Sequence, residues 1–345
     1  MDLSILTILA QDGLTTGAIY VLVAMALVMV FSVTRIIFLP QGEFVAFGAL
    51  TLVALQAGAV PGTVWVLLAL AVLCALLDGA VAVRAGRPQA LPRILLVNLA
   101  PALLIAALAW WAAPRRFPVA AQALLALLIV APMGPMIYRV AYQRLASAKV
   151  LTLLIVSVGV HFILTGLGLV MFGPEGARID PYLDAQLDLG GVQVSAQSVL
   201  VLATCAVLMA LLGLFFSRTL YGKALVATAM NRDGARLMGI STVFAGKLSL
   251  FFAALIGALS GILIVPSTAI YYDSGFLIGL KGFVGAILGG LVSYGLAAVG
   301  AVAVGLLEAF SSFWASEFKE VIVFTTILPI LLWRSLSHAG GRGDE

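Results

Sequence analysis

Four ionisable side chains stand inside or beside long apolar runs: Glu43, Asp78, Lys281 and Glu308. In hydrocarbon, an acidic or basic group costs roughly 2.5–3.5 kcal/mol at a helix centre on insertion scales. Each therefore needs a partner, a water-filled path or a helix end. Glu43 follows Gln41 and Gly42 at the start of its run, and two readings stay open for it. The carboxylate is favoured by the dipole at a helix N-terminus, or it lines a path for a polar solute. Asp78 lies near the end of its run, within helical reach of Arg84 or Arg87. Lys281 and Glu308 fall in or near the Gly-rich region 278–305; a salt bridge between them is compatible with the sequence but not dictated by it.

None of these groups forms a catalytic set. The sequence contains no G-x-S-x-G, no paired acid/base carboxylates and no zinc-type cluster. Its histidines are His161, alone in an apolar run and read as structural, and His338 in the polar tail. Cys74 and Cys205 each lie in an apolar run and read as small buried residues rather than a disulfide. The nearest approach to a phosphate-binding loop, "AGKLS" at 245–249, lacks the leading glycine and has Leu after the Lys. The chain is thus expected to be no enzyme, to hold no cofactor or metal, and to take any ATP-derived work from elsewhere.

The elements that carry these side chains are membrane spans. Of 345 residues, 63% are apolar and only 10% charged, with mean hydropathy +1.17. Soluble domains are nearer 45–50% apolar, and one core cannot hide the excess. Eleven runs approach the roughly 20 residues a crossing needs: 14–34, 42–58, 63–83, 94–112, 119–138, 150–171, 196–216, 248–270, 278–293, 297–315 and 321–333. The short ones, 42–58, 278–293 and 321–333, are candidates for broken or re-entrant helices near a path. The expectation is an all-α polytopic bundle forming one domain over 1–345, with no cleaved leader in the acidic start "MDLSILTILAQDG".

Charge sets the orientation. With the N-terminus outside, 14 of the 19 Lys and Arg residues fall on the cytoplasmic side, while the longest outer loop, 173–195, is acidic. The basic residues therefore read as topology signals and not as a nucleic-acid surface. Arg115 and Arg116 oppose the assignment locally. Glycine is frequent, at 35 residues. "GLTTG", "GALSG" and "GAILG" are small-xxx-small patterns that let helices approach closely. Gly282, Gly285, Gly289 and Gly290 are also candidates for bare backbone along a path, together with Gln41, Gly42, Glu43, Lys281 and Glu308.

The most basic cytoplasmic segment, 218–247, holds "ALVATAMNRDGARLMGISTVFAGK" over 224–247. Taken as one helix, 224–238 puts Val226, Met230, Gly234 and Leu237 on one face and a ridge of Arg232 and Arg236, beside Asn231 and Asp233, on another. Gly239 offers a left-handed stop, and Ser241 or Thr242 a cap for the next helix. Periodicity leaves two readings: a surface helix on anionic headgroups, or a knob for the groove of a soluble partner.

This stretch resembles the coupling loop of ABC importer permeases. More widely, the chain resembles the branched-chain amino acid permease family of the LivH type. The likeness is carried by "GLTTGAIYVLVAMALVMVFSVTRIIFLPQGEF" (13–44), "RVAYQRL" (139–145), "MNRDGARLMGIST" (230–242), "GLKGFVGAILGG" (279–290) and "GLLEA" (305–309). It covers about 1–58 and 119–334, and 60–118 reads as a two-span insertion that preserves the downstream orientation. Gln41 stands where the family often has His, and "WRSLS" lacks the usual Pro. The resemblance implies the permease subunit of an ATP-driven importer in the bacterial inner membrane. It implies a second permease, two ATPase subunits and an external solute-binding protein as partners, and a branched-chain amino acid as cargo, with urea, short amides and other amino acids as alternatives. A rival from another class is an autonomous secondary transporter or channel using Glu43, Lys281 or Glu308.

Overall fold

A computed structural model describes residues 3–115, 117–188 and 193–326, with 329 and 332. It is a helical bundle with one small exception, a two-stranded hairpin pairing Gln186–Asp188 with Gln193–Ser195. Among the described residues, eight helices are long and apolar enough to cross a membrane. The chain is a multi-pass membrane protein. Most of 327–345, with Arg334, His338, Arg342 and residues 327, 328, 330, 331 and 333 of the expected 321–333 span, lies outside the described residues.

The bundle is built around α1 (Leu3–Thr34), which is apolar on every side and accordingly buried on every side along residues 18–30. Packed on it are α8 (Ala196–Arg218), α11 (Thr242–Ile264), α12 (Ser274–Leu288) and α13 (Tyr294–Trp314). The 16-residue α2 (Gln41–Gln56) is nearly all buried against α11 and α12. Two of the runs expected to be short are thus α2 and the 15-residue α12, and both are internal. The outer helices α3 (Thr63–Arg84), α4 (Leu91–Ala112), α7 (Val150–Phe172) and α8 turn Leu76, Leu104, Ile155, Val170 and Val207 outward. That surface suits lipid, which solvates it as well as a core would.

Close backbone approach holds the centre. A Cβ on Gly42 would lie 1.8 Å from the Gly275 carbonyl oxygen, and one on Gly261 would lie 1.9 Å from that of Val45. Gly48 meets the Ala258 backbone in the same way. Helix α2 is therefore clamped between α11 and α12 at backbone contact, which only glycine permits there.

Several expected boundaries move for local reasons. The span expected at 248–270 is α11, starting at Thr242, where the Ser241 hydroxyl accepts from the Phe244 N–H at 3.2 Å, and ending at Ile264 just before Pro266. The run expected at 119–138 is α5 (Val119–Val130) and α6 (Met133–Ile137), continuing through a π-turn to Leu145. Asp78 reaches neither Arg84 nor Arg87. It pairs with Arg139 and accepts from Asn98 of α4 at 3.1 Å, tying the α3–α4 hairpin to the chain after α6. Residues 177–182 lie over one end of the bundle: Ala177 bridges Ile270, Arg178 donates to the Pro266 carbonyl at 3.0 Å, and Tyr182 to that of Ile262 at 2.6 Å. Burial pushes the Tyr182 phenol up from its ordinary value.

Overpacking a tight contact costs about 1–3 kcal/mol, and backbone contact yields least. Gly42→Val should lower the thermal unfolding midpoint in detergent by several degrees. Gly159→Ala, at a helical glycine with open space around it, should leave the midpoint unchanged or raise it slightly.

Candidate transport path and coupling surface

Helices α12 and α13 cross so that Lys281, 5% exposed, meets Glu308. The Lys281 Nζ donates to Glu308 Oε1 at 2.5 Å and to Glu320 Oε1 at 2.9 Å, the latter on α14 (Lys319–Thr325). The Tyr20 hydroxyl of α1 donates to Glu308 Oε2 at 2.5 Å. One ammonium thus stands between two carboxylates at the junction of four helices. The sequence pointed to Lys281 and Glu308; Tyr20, 288 residues from Glu308, and Glu320, 39 residues from Lys281, were missed, because partners on other helices leave no local spacing to read.

Glu43 sits in the first turn of α2 but makes no capping box. The residue before that helix is Pro40, which has no N–H to offer. Its carboxylate instead reaches α7, where Oε1 lies 2.7 Å from His161 Nδ1 and accepts from Thr165 Oγ1 at 3.3 Å. The imidazole stacks on Phe276 of α12 with centroids 4.5 Å apart. His161 is therefore not alone: its acidic partner is distant in sequence and adjacent in space. Beside it, Gln41 donates to the Ala253 carbonyl at 2.9 Å, joining α2 to α11.

The glycine candidates lie at helix contacts. Helix α12 is continuous through Gly282 and Gly285, so the chain is not unwound there. Gly282 faces Val23 of α1, Gly285 faces Ala301, and Gly289 faces the Ala297 backbone of α13. Gly290 closes the helix at φ +69°.

The segment expected on the cytoplasmic side differs from a single helix over 224–238. It forms α9 (Leu220–Met230) and α10 (Arg232–Leu237), broken at Asn231, whose φ −150° and ψ 104° are not helical. The Asn231 side chain accepts from the Gly234 N–H at 2.8 Å, and Thr219 caps α9 in the same way at 2.9 Å. An asparagine that can cap its own chain competes with helix continuation. Gly234 packs on this cap rather than opening a groove. Gly239 takes φ +80°, as a left-handed stop should. Arg232 is not a free rim charge: it donates to the Ala146 carbonyl at 2.9 Å and pins α10 to the loop after the π-turn. Arg236 donates to Thr242 and pairs with the exposed Asp233 at 3.6 Å. Met230, Leu237 and Met238 stand 82%, 88% and 83% exposed. Met238 is an apolar neighbour that the helical-face reading missed.

A profile of the family described as "Branched-chain amino acid transport system / permease component" matches residues 95–331. The chain belongs to that family. It is similar to the high-affinity branched-chain amino acid transport system permease protein BraD of Pseudomonas aeruginosa, 24% identical over 342 residues, covering 95% of this chain and 94% of that one. It is also similar to LivH of Salmonella typhimurium, 29% identical over 222 residues (62% and 72% of the two chains), and to LivH of Escherichia coli K12, 28% over 215 residues (60% and 70%). No solved structure matches. The buried charges and the exposed turn around 230–238 therefore sit on a permease component.

Breaking a buried ion pair by removing one partner costs about 3–5 kcal/mol, because the other charge is left uncompensated. In this permease, Lys281→Met should therefore lower the unfolding midpoint sharply, and the triple change Lys281→Met, Glu308→Gln, Glu320→Gln should recover most of the loss. Thermal melts of the four species (wild type, Lys281→Met, the carboxylate pair of changes, and the triple) give the coupling directly.

Proposed function

We propose that this chain is the non-catalytic permease subunit of an ATP-driven importer that carries branched-chain amino acids across the bacterial inner membrane. It works with a second permease, two ATPase subunits and an external solute-binding protein. The family supports the class, and the names of the relatives support the cargo. The observation that carries the mechanism is the exposed apolar trio Met230, Leu237 and Met238 on two short, individually capped helices. A soluble face gains nothing from such a trio, whereas a partner's groove does. Met230, Asn231, Arg232, Asp233, Gly234, Arg236, Leu237 and Gly239 form the coupling element, with Met238 added.

In this reading, closure of the ATPases pushes on α9 and α10. Arg232 passes the push to the loop at Ala146, and the bundle switches between outward- and inward-open states. The cargo is carried because its affinity differs between them. Gln41, Gly42, Glu43, Lys281, Gly282, Gly285, Gly289, Gly290 and Glu308 lie along or support the path. The N-terminus is outside and the C-terminus cytoplasmic. Residues 60–118 are an added hairpin at the periphery.

Single cysteines in the assembled complex test orientation and docking together. The exposed Ala185 and Met238 suit this purpose, whereas Ala235 is buried. Ala185→Cys should react with a membrane-impermeant thiol reagent only from outside. Met238→Cys should react only from the cytoplasmic side, and only once the ATPases are stripped away. Leu237→Asp should weaken ATPase binding about tenfold or more, as for a buried anchor. Arg236→Ala should act mildly and mainly at low salt. Labelling of both cysteines from one side, or full ATPase retention by Leu237→Asp, would contradict the proposal.

A further inference from the structure

A cavity of about 660 Å³ opens between α1, the loop 265–273, the start of α12 and the second half of α13. Its volume lies in the range that holds small molecules. The lining combines three chemistries. Glu308 and Lys281 supply charge at its inner wall, with Asp12 and Lys319 elsewhere along it. Thr15, Thr16, Ser267, Thr268 and Ser274 supply hydroxyls. Ile19, Ile264, Ile270, Leu277 and Phe313 supply an apolar side.

The charges at the inner wall do not balance. Lys281 brings one positive charge to two carboxylates, and Glu320 Oε2 is buried without a hydrogen-bond partner. Inside a membrane protein, a residual negative charge calls for a cation. Both oxygens of Glu308 already accept one bond, yet each carboxylate oxygen has a second lone pair. The carboxylate can therefore take an incoming ammonium without releasing Lys281 or Tyr20.

We propose that this cavity binds the transported solute as a small zwitterion with an aliphatic side chain, its ammonium on Glu308, its carboxylate among the hydroxyls at the start of α12, and its side chain on the isoleucine-rich wall. The inference rests on the cargo proposed above and assigns it a site and a pose. The cavity lies at the end of the bundle covered by residues 177–182, in the loop that the charge asymmetry places outside, where a solute would arrive. The rival reading is that the excess negative charge only holds a proton, in which case the cavity has no ligand.

Protection from labelling separates the two. Ala309→Cys and, independently, Ser312→Cys place a thiol in the cavity wall, and the native Cys74 and Cys205 are buried. The assembled complex in proteoliposomes is treated with an impermeant thiol reagent, and leucine uptake is measured on the same preparation. With leucine at about four times its dissociation constant, the labelling rate should fall about fivefold. Isoamylamine (leucine without its carboxylate) should protect weakly, and isocaproate (leucine without its ammonium) not at all. Glu308→Gln should remove the protection by leucine. Uptake of leucine with labelling unchanged at both positions would overturn the site, and protection by isocaproate equal to that by leucine would overturn the pose. A complex whose ATPases turn over without leucine uptake would overturn the cargo reading and this inference with it.

Discussion

The fold depends on the backbone contact of α2 with its two neighbours. Lipid offers helices no hydrophobic drive to associate, so association must come from packing and interhelical polar bonds. Gly42 against Gly275 and Gly261 against Val45 bring main chains together where any side chain would collide. That clamp fixes the start of α2, and with it Glu43 opposite His161 and Gln41 opposite Ala253. It also fixes the start of α12, and one face further along that helix carries Lys281 to Glu308. The polar contacts of α2 and α12 are therefore placed by glycine geometry.

The same constraint explains how charge is distributed. Inside the bundle three sets of charged side chains meet across helices: Glu43 with His161, Asp78 with Arg139, and Lys281 with Glu308 and Glu320. At the turn around 230–238 the logic reverses. Water satisfies polar groups there, and the costly feature is apolar exposure at Met230, Leu237 and Met238. In the proposed reading, such a turn is where the ATPases push, and the packed interior passes the push on. The tie from Arg232 to Ala146 gives the turn a mechanical connection to the rest of the chain.

Much of this was legible in the sequence where the cause is local. Ser241 and Gly239 announced a cap and a stop, and both are found. The apolar runs located most of the long helices to within a few residues; α1 instead starts at Leu3, eleven residues before the run expected from 14, and a cap and Pro266 shifted the ends of α11. What could not be read were pairings across sequence. Nothing near His161 identifies Glu43, and nothing near Asp78 favours Arg139 over the closer Arg84. Pro40 ruled out a capping box for Glu43, and the break at Asn231 followed from the asparagine's own capping ability. Those two signals were present as residue types, but their weight emerges only with backbone geometry. The glycines divide in the same way: their packing role follows from spacing, while the helices they touch follow from the fold.

The central claim is that this permease moves solute only when driven by ATPases docked on its cytoplasmic turn. The most direct measurement is accumulation of radiolabelled leucine in proteoliposomes containing the full complex and binding protein, with ATP or a non-hydrolysable analogue, and with or without a protonophore. The account predicts accumulation that requires hydrolysable ATP and every subunit, and that the protonophore leaves unchanged. Accumulation by the permease alone, driven by an ion gradient and abolished by the protonophore, would contradict it and make the buried carboxylates an ion-coupling site.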